Sequence, residues 1–235
     1  MKKTLPFIFT LFFIFGISER IVAQANYPTS PEAAELVFTD LENFLEAYKK
    51  LGSGADSVAI LNQYYFDRAS VGLKDFIEKH NLTPKLIVEA LGEHPEDYDK
   101  IERFVNNIDE LKIVFSKTMV KYSNVLSNAT YPPTYLLVGA NRGIGQNSKQ
   151  GPLITITRVL DDPDLLMLMI VHELSHFQQV MHMGFEKYVA LYSKPDNMLG
   201  LCLREGGAEF ITYLVLNRIT QEKALKYLEG NLIDM

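Results

Sequence analysis

His172-Glu173-Leu174-Ser175-His176 sets two imidazoles four residues apart with a carboxylate beside the first. Residues at that spacing lie one above the other on a helix face, so both rings can reach one metal ion. Glu173 is rotated by about 100° from His172, so it can approach a water molecule next to such an ion rather than the ion itself. The surrounding residues, 165–171, are apolar on every side, which predicts a deeply buried helix. Ionisable groups in such a place lose hydration and persist mainly when paired or bound to metal. The pattern predicts one Zn²⁺ per chain, His172 and His176 as ligands, and Glu173 as the general base of a hydrolysis.

A catalytic zinc usually takes a third protein ligand and keeps one position open. His182 stands ten residues after His172, the spacing of the metzincin signature. In that signature a glycine three residues after the second histidine lets the helix turn back; here the residue is Gln179, and the first stop signal is Gly184. Without a turn, His182 lies roughly 9 Å along the axis from His176 and about 120° around it, out of reach. The competing candidate is Arg204-Glu205-Gly206-Gly207-Ala208-Glu209-Phe210. Its two carboxylates at i and i+4 share a helix face, and the small residues between them allow close packing on the first helix. Phe210, Ile211, Leu214 and Val215 suggest that this helix has a buried face.

This combination resembles the glutamate-zincins (gluzincins). It is more closely similar to a group of bacterial zinc-dependent proteases with a helical N-terminal half, known mainly as a domain of unknown function. The likeness rests on residues 131–139, the glycine-bearing loop after them, and residues 153–157, 172–179 and 205–210. It thus spans roughly 130–215, and the N-terminal helices only loosely. The resemblance implies a zincin-like domain with Glu205 as third ligand and Glu209 as the acid that fixes a ligand histidine's tautomer. The reverse assignment, Glu209 as ligand and Glu205 behind it, stays open. Such relatives often continue with more helices, so the zinc-site part, 131–235, is expected to be truncated at its C-terminus, with the residue that polarises a substrate carbonyl missing.

A second motif points elsewhere. Val138-Gly139-Ala140-Asn141-Arg142-Gly143-Ile144-Gly145 is similar to the cofactor loop of short-chain dehydrogenases. A nucleotide site needs a helix next, with its N-terminus on the pyrophosphate. Residues 146–152 instead hold two amides, a serine, glycine and proline, and no Tyr-x-x-x-Lys pair exists in the chain. The stretch reads as a glycine-rich hairpin connection beside the cleft, and no nucleotide cofactor is expected.

The elements that must hold these residues follow from local signals. Residues 26–130 read as helix after helix. Ser30-Pro31 opens one that continues through Val37, Leu41, Phe44, Leu45 and Tyr48 to Gly52, and Thr83-Pro84 to Gly92 bounds another. Leu111, Phe115, Thr118, Met119, Tyr122, Val125 and Leu126 mark a longer helix with one buried stripe. Tyr131-Pro132-Pro133 breaks the pattern, and 135–139 and 153–157 read as strands. The second could pair with an extended substrate if it is the sheet edge. Asp162-Pro163 caps the metal helix, which stops near Gly184; further helices are expected at 203–219 and 221–229. The fold class is α+β, a mostly helical domain with a small sheet beside the His-Glu-x-x-His helix.

The chain has 235 residues, 47% of them hydrophobic, enough for one domain with a sizeable core. Lys2 and Lys3, the apolar run 5–17 and Ala23-Gln24-Ala25 predict a cleavable secretory signal peptide over 1–25, followed by one domain over 26–235. The run is too short to span a membrane, so no stable insertion is expected after cleavage, and the location is periplasmic or extracellular. Cleavage removes Lys2, Lys3, Arg20 and Glu19, taking the net charge from −6 to −8. An acidic chain without a basic run gives no case for nucleic acid or anionic lipid as partner. The single cysteine, Cys202, excludes an internal disulfide and is expected to be buried. The expected partner is a peptide or protein substrate. The alternative is a non-catalytic envelope protein that uses the same scaffold to bind a partner or a zinc ion, although such a module has no need of Glu173.

Overall fold

The structure is a computed structural model and describes residues 27–52, 54, 56–192 and 198–218. The signal-peptide segment and the helix expected at 221–229 lie outside these residues. The described fold is α+β and mostly helical, with one four-stranded mixed sheet, as the sequence predicts. No helix among the described residues is long and apolar enough to cross a membrane.

The chain enters through a 3₁₀ turn, Pro31–Ala33, and a short strand, β1 (Leu36–Val37), before α1 (Thr39–Lys50). The helix expected after the Ser30 cap therefore begins eight residues later, at Thr39. Ser30 spends its hydroxyl on Glu32 rather than on a backbone cap, and the Glu35 carbonyl accepts a hydrogen bond from Thr134 N at 2.9 Å. Pairing with a distant strand outcompetes the local start signal. The helices α2 (Ser57–Leu61), α3 (Val71–His80), α4 (Pro84–Glu93), α5 (Ile101–Asn106) and α6 (Ile108–Val125) complete the N-terminal half. Thr83 caps α4 as expected, accepting from Leu86 N at 3.3 Å, and α6 buries Leu111, Phe115, Met119 and Tyr122.

The second half begins with β2 (Thr134–Leu137), β3 (Gly145–Ser148) and β4 (Gly151–Thr155). The sheet order is β1-β2-β4-β3, with β3 antiparallel to β4 and the other pairs parallel. Two expectations are corrected here. The loop between the anticipated strands itself forms a strand, so the hairpin is β3–β4 and β2 runs parallel to β4. The strand containing 153–155 is interior, paired on both sides, and the edge beside the His-Glu-x-x-His helix is β3. A strand also follows Gly143-Ile144, where a nucleotide site would need a helix.

Then come α7 (Pro163–Met183), α8 (Phe185–Tyr192) and α9 (Met198–Val215). Asp162 caps α7, its Oδ1 accepting from Leu165 N at 2.9 Å, and Gly184 ends it at φ 83°. The helix predicted at 203–219 starts five residues earlier, which leaves Cys202 exposed on its second turn rather than buried. Of its anticipated apolar face Val215 is buried, while Phe210 stays exposed.

The sheet carries helices on both faces. Gly72 of α3 sits against the Tyr135 ring, where an added Cβ would come within 2.3 Å of the ring carbons. Tyr65, in the π-helical turn Asn62–Phe66 after α2, ties the helical half to the end of β2. Its fully buried hydroxyl donates to Val138 O at 2.7 Å and accepts from Val138 N at 3.0 Å. Tyr65→Phe strips both backbone groups of that partner, and a buried group left unsatisfied costs about 1–3 kcal/mol. Urea denaturation of Tyr65→Phe is expected to show a loss of that size; an unchanged midpoint would contradict the assigned role of the hydroxyl.

Candidate metal centre

Helix α7 carries the motif past mid-length, and its two imidazoles stack one turn apart at right angles, with ring centroids 4.7 Å apart. His176 and Glu173 are buried and His172 is half-buried. Helix α9 crosses the same face of α7 and brings in Glu205. Its Oε2 lies 3.0 Å from His176 Nε2 and 3.4 Å from His172 Nε2, and the two Nε2 atoms are 3.1 Å apart. One ligand atom from each of His172, His176 and Glu205 thus falls within 4.8 Å of the others, the one such group of histidine, cysteine or acidic residues among those described. The chemistry of this donor set fits a borderline-soft divalent cation: two imidazoles and one carboxylate, with the carboxylate side open to solvent.

Glu209, one turn further along α9, faces the other nitrogen of His172, with Oε2 at 3.4 Å from Nδ1. That nitrogen is buried and has no hydrogen bond of proper geometry, so Glu209 stands behind His172 rather than in the three-residue group. His182 is exposed and lines a cavity of about 500 Å³ between α6, α7 and α9, outside the three-residue group. Because α7 continues unbroken to Met183, no turn returns His182 toward the other two histidines.

Glu173 sits on the sheet side of α7. Gly145 of β3 backs directly onto it: a Cβ there would lie 2.7 Å from Glu173 Oε1 and 2.9 Å from its Cγ. Two residues along the same strand, Asn147 Nδ2 donates to the Glu173 carbonyl at 2.6 Å. Gln146, between them, points to the opposite face, where its Oε1 meets His80 Nε2 of α3 at 2.6 Å. The period of two in a strand produces this division: residues 145 and 147 serve α7, and 146 the helical half. The glycine-rich stretch therefore has a definite use, as the close backbone wall behind Glu173.

The two carboxylates meet different surroundings. Burial, with the nearby Glu205 charge adding to it, pushes Glu173 up to about 7, against a smaller opposing effect of Lys79. Burial also opposes ionisation of Glu205, but His176 and the Arg204 guanidinium, whose Nε lies 2.9 Å from Oε1, outweigh it and hold Glu205 below the ordinary carboxylate range. Burial lowers His176, which favours the neutral ring that a metal requires.

One site residue escaped the sequence reading. Gln179 enters it only as the non-glycine that argues against a turn, yet its Oε1 lies 3.0 Å from His176 Nδ1 and its Nε2 donates to Arg204 O at 2.8 Å. A glutamine three residues after a helical histidine is within reach of it, but its link to α9 depends on tertiary packing.

The Gly145 wall can be tested by stability alone. Gly145→Ala must displace Glu173 or Met169, and such overpacking costs about 1–3 kcal/mol. At Gly206, in α9, an added Cβ meets nothing, so Gly206→Ala is expected to be neutral or to gain up to about 1 kcal/mol. Denaturant midpoints of the two variants should move in opposite directions or differ by that margin; equal midpoints would show that β3 does not pack on Glu173 as described. Comparison with protein-family models, curated proteins and solved structures found no match to this chain.

Proposed function

We propose that this protein is an exported zinc metallopeptidase that uses one metal ion, with His172, His176 and Glu205 as ligands and Glu173 as general base. The observation that carries the reading is the convergence of three ligand atoms from two separate helices, with a fourth ionisable group, Glu173, buried next to them but outside the donor set. A zinc ion held there would polarise a scissile carbonyl and activate a water molecule. Glu173, held by burial near the neutral range and wedged against Gly145, is placed to take the proton of that water and pass it to the leaving amine. Arg204 keeps Glu205 an anion, so that it can serve as ligand. The half-buried edge strand β3, adjacent to α7, takes over the part first expected of residues 153–157, offering backbone groups to an extended peptide. Glu209, behind His172, is assigned to holding that ring, and the reverse order of the two acids is disfavoured because Glu209 faces Nδ1 of His172 while Glu205 faces the two Nε2 atoms.

A second reading, a non-catalytic partner-binding protein of the cell envelope, has one observation in its favour. Phe185 of α8 and Met198, Leu199, Leu201 and Leu203 of α9 expose large apolar side chains on neighbouring helices.

Zinc content and peptide hydrolysis, measured together, separate the two readings. The mature chain is expected to hold one zinc after reconstitution and to cleave a peptide library. Glu173→Gln is expected to keep the zinc and to lose about 10²–10⁴-fold in turnover, the usual cost of removing a general base. Near-native turnover in that variant would exclude the role given to Glu173. Wild-type protein that binds zinc and cleaves nothing would favour the partner-binding reading.

The ligand set has its own test. Glu205→Ala should weaken zinc far more than His182→Ala, with Glu209→Ala between them at about 10–100-fold. Competition against a chelator ranks the three. A ranking with His182→Ala as the most damaging would replace Glu205 by His182 as the third ligand.

A further inference from the structure

Helix α9 has a second apolar face that its packing on α7 leaves uncovered. Leu203, Gly207, Phe210, Ile211 and Leu214 recur at i, i+4, i+7, i+8 and i+11, a stripe on the side turned away from Glu205. Leu203 and Phe210 are exposed, and Ile211 and Leu214 are half-buried. Gly207, Phe210 and Ile211 form one wall of the cavity of about 500 Å³ shared with α6 and α7, and Leu126 and Met183 continue its apolar lining. Apart from the exposed His182, the polar side chains of this cavity are engaged elsewhere. Tyr122 Oη meets Ser175 Oγ at 3.1 Å, Gln178 pairs with the N–H and carbonyl of Thr130 at 3.0 and 2.7 Å, and Gln179 Nε2 donates to Arg204 O at 2.8 Å. An apolar occupant fits such a groove better than a polar ligand does.

The end of α9 points to the source of that occupant. Asn217 is left-handed at φ 56°, Arg218 N donates to Tyr213 O at 2.9 Å and Asn217 N donates to Leu214 O at 3.2 Å, the bond pattern of a Schellman turn. The helix is thus stopped sharply rather than left to run on. Between Val215 and the helix expected over 221–229 stand about five residues, the length of a helical-hairpin loop, and the last of them, Thr220, is a residue type that caps helix starts. At helical spacing Ala224, Leu225 and Leu228 share one face, with Lys223 and Lys226 on the opposite side. With Gln221 opposite Val215, an antiparallel return brings Leu225 level with Ile211 and Leu228 level with Ala208, beside Gly207, where α9 has no side chain.

We infer that residues 219–235 fold back as the antiparallel neighbour of α9 and close the groove between α6, α7 and α9 with Leu225 and Leu228. Helix α9 is then gripped from two sides, by α7 across Glu205 and by its own continuation across Phe210 and Ile211. The inference concerns the packing of α9 and stands whether or not a metal binds.

Methyl NMR of the mature chain, with Ile, Leu and Met methyl groups labelled, tests this on the unaltered protein. Leu225 and Leu228 are expected to show NOEs to Ile211 and Met183. NOEs found only between labelled and unlabelled chains in a mixed sample would place a second copy in the groove, and no NOE from either leucine to the groove would leave it to a separate partner or ligand. Either result overturns the inference. Leu228→Asp is expected to lower the folding equilibrium constant by about 10–100-fold, the worth of one buried leucine. Lys226→Asp, which carries a similar loss of helix propensity, is expected to change it by no more than about twofold. Equal losses in the two variants overturn the inference; if Leu228→Asp does not fold, the wild-type NOEs decide it.

Discussion

Two imidazoles and a carboxylate are carried on a helix whose other buried residues are apolar except Ser175 and Gln178, and unpartnered burial of such groups is strongly unfavourable. Helix α7 cannot relieve this by itself. Its i, i+4 spacing provides two inward nitrogens and no countercharge, and its continuity to Met183 keeps His182 away. The remedy is α9, which lies across the same face and contributes Glu205 to both Nε2 atoms, Glu209 to His172 and a backbone carbonyl to Gln179. Close approach requires small residues, and Gly207 and Ala208 occupy the crossing, with Ala208 fully buried. The contact between α7 and α9 is thus the one on which the site depends, and it is polar at its centre.

The sheet supplies the opposite wall. Because β3 is antiparallel to β4 and stands at the edge, its alternate residues reach α7 without a further layer between. Gly145 allows the backbone to meet Glu173, Asn147 ties down the carbonyl of the same residue, and Gln146 anchors the strand to α3 through His80. The helical half then matters to the site indirectly. Gly72 seats α3 against Tyr135 of β2, and Tyr65 closes off the end of β2, so the sheet is gripped from the face opposite α7.

What the sequence reveals and what it hides divide along the range of the interactions. Asp162 before Pro163, Thr83 before Pro84 and Gly184 after Met183 act within one turn, and the helices they bound lie where the pattern places them. The i, i+4 histidines are legible for the same reason. The strands β1 and β3 carry weak strand signals and exist through pairing with partners far along the chain, Leu36 with Thr134 and Gln146 with Leu153. An interior position for residues 153–155 is equally a matter of partners. The exposure of Cys202 depends on where α9 begins; Asn197, a residue type that favours helix starts, stands directly before Met198, a local signal that the expected start at 203 passes over. Gln179 is the clearest case. Its reach to His176 is local, but only the placement of Arg204 decides which end of its amide faces the ring.

Glu173 and Glu205 are the same residue type at neighbouring places, and the proposed mechanism asks opposite things of them. A base must bind and release a proton near neutral pH, whereas a ligand must remain an anion. The helices and the sheet create this difference without any change in the side chain. Glu173 lies on the sheet side of α7, walled by Gly145, with burial as the dominant influence, so its protonated form is favoured up to about 7. Glu205 approaches from α9 at the solvent-facing rim, with Arg204 against one oxygen and the histidine nitrogens against the other, so its charge is retained. The Glu205 charge also raises the cost of ionising Glu173, which reinforces the split: the better solvated, cation-paired group keeps the charge and the buried one yields. Exchanging the two roles would require an anion in the drier place and a proton carrier beside a guanidinium. The proposed division of labour between base and ligand would therefore be set by the packing of α7 between an edge strand and a small-residue helix.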